Sequence, residues 1–254
     1  MTARLGQLVF LCFALALWLI ARPFQGIWHD GRLYALQALQ ILNPATFTTD
    51  LFLRYGSQDQ YSIFSAFYAV AISSWGLSQG TMILQGLGLV LWFFSAWALT
   101  RVLPGKQAVL SLLLIVSLDG HYGSHGVFSY GEGFLTARLY AEAFSLAGLA
   151  AWLVGRKKLG GLAFAVACVL HPLMTLPALM VGLGMLLRPK IWLGLMIAVV
   201  FCALGLGVIG LTPFTGLLKP MDPLWLKLVA SRSPFLFLNT WEWAGFSRTL
   251  LVIP

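Results

Sequence analysis

The chain has 254 residues, 59% of them hydrophobic and only 9% charged, with a formal net charge of +8. A soluble domain carries about 25% charged residues. This composition therefore excludes a soluble globular protein, and the basic excess reads as membrane topology rather than nucleic-acid binding. The apolar runs are continuous and lack the alternation of a transmembrane β-barrel, so the sequence predicts an all-α, polytopic transmembrane helical bundle.

The first run, "LGQLVFLCFALALWLIA" (5–21), is nearly long enough to cross about 30 Å of hydrocarbon. It is longer than a signal-peptide core of about 7–15 residues, and "IARPF" offers no A-x-A cleavage site, so it reads as a retained span. The next stretch, "GIWHDGRLY" (26–34), brings the first acid, Asp30, beside His29. "GRLYALQALQIL" (31–42) sets Leu33, Leu36 and Leu39 on one face and predicts a short amphipathic helix beside the bilayer, stopped by "NPATF". "YSIFSAFYAVAISSWGL" (61–77) is apolar enough to span, but its four serines with Tyr and Trp suit a helix at the outer interface.

Six further spans follow, at about 80–100, 107–118, 136–154, 159–171, 173–187 and 191–211, making about seven in all. The breaks "RVLPGK" (101–106), "GRKK" (155–158) and "RPK" (188–190), together with Arg4, hold eight Lys and Arg and no acid. Short loops rich in Lys and Arg face the cytoplasm. That rule puts the N-terminus in the cytoplasm and all eight acids and four histidines outside. Three of the spans, at 107–118, 159–171 and 173–187, are short for about 30 Å and need polar flanks or shielding by neighbours.

The whole of 1–254 reads as one transmembrane module. It has a first outer loop at 22–79, a second at 119–137 and an outer segment at 212–254. The closing "LLVIP" reads as the start of an eighth span, so the sequence reads as truncated, lacking a C-terminal half or a partner chain. Cys12, Cys168 and Cys202 all fall in apolar runs and read as small core residues.

Carboxylates at a membrane surface are costly unless hydrated, paired or used. Asp30 is thus a candidate general base or positioning group, or else the N-cap of the helix from Gly31. Asp50 and Asp59 raise the same choice in the same loop. The second loop, "DGHYGSHGVFSYGEGFLTARLYAE" (119–142), gathers Asp119, His121, His125, Glu132, Arg138 and Glu142 among five glycines. Arg138 and Glu142 stand four apart and can pair on one helix face. His121, His125 and Asp119 invite a metal reading, but a glycine-rich segment does not assure the spacing, so no cofactor or metal is assigned.

His171, in "LHPLMTLP" (170–177), is either a capping histidine before a Pro-defined turn or a donor to an anionic head group. Lys219, Lys227, Arg232 and Arg248 lie among Trp225, Trp241 and Trp243, where they grip a lipid phosphate or anchor the interface. No P-loop, GxSxG, HExxH or CxxC motif occurs, so nucleotide hydrolysis and zinc proteolysis have no support.

Together these features resemble the GT-C glycosyltransferases, polytopic enzymes that use polyprenyl-phosphate-linked sugar donors. In that family a first span leads into a long outer loop with an essential acid and helices lying along the membrane. Asp30 in "WHDGRLY" and the helices near 31–42 and 61–77 match that layout. "GEGFLTAR", with Glu132 and Arg138, occupies the place of the second outer loop. The adjacent acid pair common in first loops of the family is absent, and Asp50 is the residue left to supply a second carboxylate. The likeness covers nearly the whole chain in layout rather than in sequence.

The resemblance implies sugar transfer to an acceptor on the outer face of a bacterial inner membrane, with Asp30 as general base and Glu132 orienting acceptor or base. It makes Arg138, His171, Lys219, Arg232 and His29 the candidate substrate and phosphate ligands, and a lipid-linked sugar and the bilayer the partners. Two other classes stay open at this stage: a transporter or channel relaying protons through acids and histidines, and a non-catalytic membrane scaffold.

Overall fold

A computed structural model describes residues 2–57, 59–118, 120–122 and 127–241. Eleven α-helices run through these residues: α1 Thr2–Ala21, α2 Gly31–Leu42, α3 Leu51–Tyr55, α4 Phe64–Trp75, α5 Leu77–Thr100, α6 Gly105–Ser117, α7 Ala137–Leu153, α8 Lys157–Leu170, α9 Pro172–Leu186, α10 Pro189–Val208 and α11 Pro223–Arg232. The strands β1 His121–Tyr122 and β2 Phe128–Ser129 pair antiparallel, His121 opposite Ser129.

Among the described residues a helix stands at each apolar run, and three of these helices are long and apolar enough to cross a membrane: α1, α5 and α10. Charge placement predicts about seven. The difference is one of length and polarity. The apolar helices α6 and α9 have 13 and 15 residues, and α8 has 14; at about 1.5 Å per residue they fall short of about 30 Å. The 17-residue α7 carries Arg138 and Glu142. The 12-residue α4, in the region expected at the interface, is shorter than any span.

The chain divides into two compact units, residues 1–120 with 130–180, and residues 121–129 with 181–254. In the first unit α1 lies alongside α5 and α6. Trp18 Nε1 donates to the Leu89 carbonyl at 3.0 Å, and Arg22 Nη1 reaches the Val116 carbonyl at 3.4 Å. The C-terminal ends of α1 and α6 therefore lie together. Helix α5 is the centre of this unit, and a small residue lets α7 approach it: a Cβ on Gly88 would stand 2.6 Å from Leu139 Cδ2. α7 and α8 form a tight hairpin, with Gly160 closed over by the Trp152 ring.

The first-loop helices belong to the same core. Phe64, Tyr68, Ala35 and Ala38 are buried with Leu135, Ala137, Tyr140 and Leu170. α2 turns its alanines inward, packs Tyr34 and Leu39 against the core and leaves Leu33 and Ile41 exposed. The chain before α4 is stitched to the end of α8: Ser62 Oγ donates to the Leu170 carbonyl at 2.6 Å and Ile63 N to the Val169 carbonyl at 3.2 Å.

In the second unit α10 is exposed along most of its length. The 3-10 turn Phe214–Leu218 packs back on it at Gly207, and Asp222 caps α11 through a 2.9 Å bond from Trp225 N.

Candidate functional site

The site is built around Arg138, on the first turn of α7. Thr136, in extended backbone, leads into that helix. The guanidinium donates through Nη1 to Asp30 Oδ2 at 2.7 Å and through Nη2 to Glu132 Oε1 at 2.8 Å. Its Nε spans both Glu132 oxygens at 3.1 and 3.3 Å. Glu132 Oε2 also accepts from Thr136 Oγ1 at 2.6 Å, and Gln85 Nε2 donates to the Glu132 backbone carbonyl. One cation thus holds two carboxylates in charge-assisted bonds.

The two acids differ in depth. The Glu132 side chain is 8% exposed and the Asp30 side chain 34%. Glu132 has three donors and lies inside; Asp30 reaches the same guanidinium from the solvent side. Asp30 stands at the start of α2, yet its carboxylate makes no capping bond. It reaches instead across 108 positions of sequence to Arg138. Its other oxygen lies 3.1 Å from His29 Nδ1. His29 has φ of +46°, in the left-handed region that costs a side-chain-bearing residue energy and is often kept at functional positions.

Asp50 behaves differently. Its Oδ1 accepts from Leu53 N at 2.9 Å and so caps α3. Asp59, from the same loop, has a buried Oδ1 without a hydrogen-bond partner. Tyr34 stands in the field of Asp30, Glu132 and Asp59. Burial pushes its hydroxyl up to about 12; the Arg138 charge works against that, and Asp30, Glu132 and Asp59 add to it. Tyr34 was not among the sequence candidates, although it stands four residues after Asp30 on one helix face, which is the readable signal.

His171 lies between α8 and α9. Its Nδ1 accepts from Met174 N at 3.2 Å, which caps the start of α9. Lys219 and Arg232 belong to the second unit, where both are exposed, Arg232 in the last turn of α11. Arg138 does not take the partner that spacing gave it. Glu142 instead accepts from Trp92 Nε1 at 3.0 Å, because Glu132, on the non-helical lead-in, claims the guanidinium first.

Below the second loop lies an aromatic stack. Trp18 and Trp92 rings are 4.4 Å apart at 10°, and Tyr130 covers Trp92 at 5.4 Å. The Arg22 guanidinium carbon sits 3.6 Å over the Trp18 ring. Gly131 turns the chain from this stack to Glu132 with φ of +63°, and a Cβ there would stand 2.5 Å from Trp18 Cη2. Among the described residues no three His, Cys, Asp or Glu are grouped to hold a metal ion. Asp119 and His125 of the metal reading lie outside the described residues, as do Glu242, Trp243 and Arg248.

No protein-family model matches the chain, and neither a curated protein nor a solved structure does.

Proposed function

We propose that the chain is a membrane glycosyltransferase of the GT-C type, moving a sugar from a polyprenyl-phosphate donor to an acceptor on the outer face. The observation that carries the reading is the meeting of Asp30 and Glu132 on Arg138. An acid just after the first apolar helix and an acid from the second loop share one guanidinium, with the shallower acid open to solvent. That is the arrangement a lipid-phosphate-linked substrate needs: a cation for its phosphate and a carboxylate within reach of the sugar. In this reading the helices short of full span length are shielded by neighbours, and α2 and α4 wall a groove for the polyprenyl chain.

The chemistry is a displacement at the anomeric carbon. The acceptor hydroxyl attacks that carbon, its proton passes to an Asp30 oxygen, and the sugar–phosphate bond breaks with its electron pair going to the phosphate. Arg138 stabilises the departing phosphate. Phosphate and Asp30 compete for Nη1, so arrival of the donor frees Asp30 Oδ2 to act as base. Glu132, bound to the other edge of the fork, keeps Arg138 in place through that exchange; it positions the cation rather than the base. His29 aligns the second Asp30 oxygen, and His171 is the further candidate for gripping the donor.

Asp30→Asn in purified protein, supplied with a polyprenyl-phosphate sugar, should lower transfer by about 10²–10⁴-fold with little change in unfolding temperature. Undiminished transfer sinks the assignment of the base. Mass spectrometry of co-purifying lipids tests the class: polyprenyl phosphate is the expected species, and its consistent absence counts against the donor.

A further inference from the structure

The ends of α1, α5 and α6 away from the Arg138 cluster enclose a cavity of about 230 Å³. Phe10, Leu11 and Leu112 form its apolar wall, and Gln7, Thr100 and Arg101 supply polar atoms. Arg101 lies over Trp97 with its guanidinium carbon 5.3 Å from the ring centroid, and among the described residues it makes no ion pair. Arg4 stands one turn before Gln7 on the same face of α1. Lys106 lies between the lining residues Gly105 and Ala108. Both are exposed. Arg101 thus lines the pocket, Arg4 and Lys106 stand within one turn of lining residues, and no acid lies in the lining or in the turn 101–106.

The surface beside the mouth is apolar. Leu8 and Val9 on α1 and Val109 and Leu110 on α6 are exposed. In water such a collar would be a liability; at a bilayer it meets acyl chains. A pocket with cations at its rim, an aromatic face under one of them and a hydrocarbon wall leading away matches one chemistry, an anion attached to a lipid tail. Basic pockets between helices on the cytoplasmic side are where such head groups bind.

We infer that this cavity binds an anionic membrane phospholipid, its phosphodiester on Arg101 with Arg4 and Lys106 beside it and an acyl chain along Phe10, Leu11 and Leu112. The site is separate from the cluster at Arg138 and does not depend on any transfer reaction.

The test is native mass spectrometry of the full chain, released from micelles containing equal phosphatidylglycerol and phosphatidylcholine. The wild type should keep phosphatidylglycerol in preference to phosphatidylcholine. Arg101→Gln should lower that occupancy about tenfold, the weight of one charge-assisted bond, and Arg101→Lys should restore much of it. Arg54→Gln, an exposed cation elsewhere in the first unit, should leave it unchanged. Because Arg101 is exposed, its variants should unfold at the wild-type temperature. Equal retention of the two lipids, equal loss with Arg54→Gln, or displacement of the lipid by millimolar inorganic phosphate would overturn the inference.

Discussion

The two ends of α1, α5 and α6 treat charge in opposite ways. At one end two carboxylates crowd onto the single guanidinium of Arg138, whose side chain is 19% exposed. At the other, Arg101 lines a pocket without a carboxylate in its lining, and Arg4 and Lys106 stand within one turn of lining residues. The difference follows from depth. A buried charge must be paired or it costs several kcal/mol, whereas an exposed one can wait for a partner from outside. The paired end satisfies its charges within the protein; the unpaired end leaves its cations open to solvent.

The largest expected effect breaks the paired end. Arg138→Met leaves Glu132 buried without its cation and should cost about 3–5 kcal/mol, read as a fall in unfolding temperature in detergent. The same change at Arg101 should stay within about 0.5 kcal/mol. Equal losses at the two positions would erase the contrast.

Within the paired end, the two acids should separate. Glu132→Gln should cost about 1–3 kcal/mol of stability, and Asp30→Asn under about 1 kcal/mol, with the order reversed when sugar transfer is measured. A smaller effect belongs to Asp50→Ala, which removes the cap of α3 for about 1 kcal/mol and should leave transfer intact; loss of transfer would return Asp50 to the site. Last comes a slope rather than a step. The Tyr34 hydroxyl is raised above its unfolded value of 10.0, so its contribution is fully present below pH 10 and is lost as pH rises toward 12. Tyr34→Phe should flatten the alkaline fall in stability over that window, followed by circular dichroism.

The sequence carried the helices well and the pairings poorly, for a physical reason. Apolar runs dictate helices locally, and the elements from α5 to α10 stand where those runs lie. The number of candidate spans was less legible, because length near the threshold decides it and α6, α8 and α9 fall below. Asp30 was readable as either cap or site residue; only its 108-residue reach to Arg138 distinguishes it from Asp50, and no local pattern encodes that distance. The expected pair of Arg138 with Glu142 rested on helical spacing alone. It failed because a competing acid sat six residues upstream, outside the helix and outside the rule. Tyr34 was visible in its spacing from Asp30 but carried no charge to draw notice.

The stack of Trp18, Trp92 and Tyr130 has an optical consequence. Two indoles nearly parallel at 4.4 Å share their excited states, so their near-ultraviolet circular dichroism should appear as a coupled band rather than two independent ones. Tyr130 joins the stack one residue before Gly131 and two before Glu132. A displacement of the Tyr130 ring from Trp92 should change that band. The protein thus carries a built-in chromophore at the root of its acid cluster, readable by light without a label.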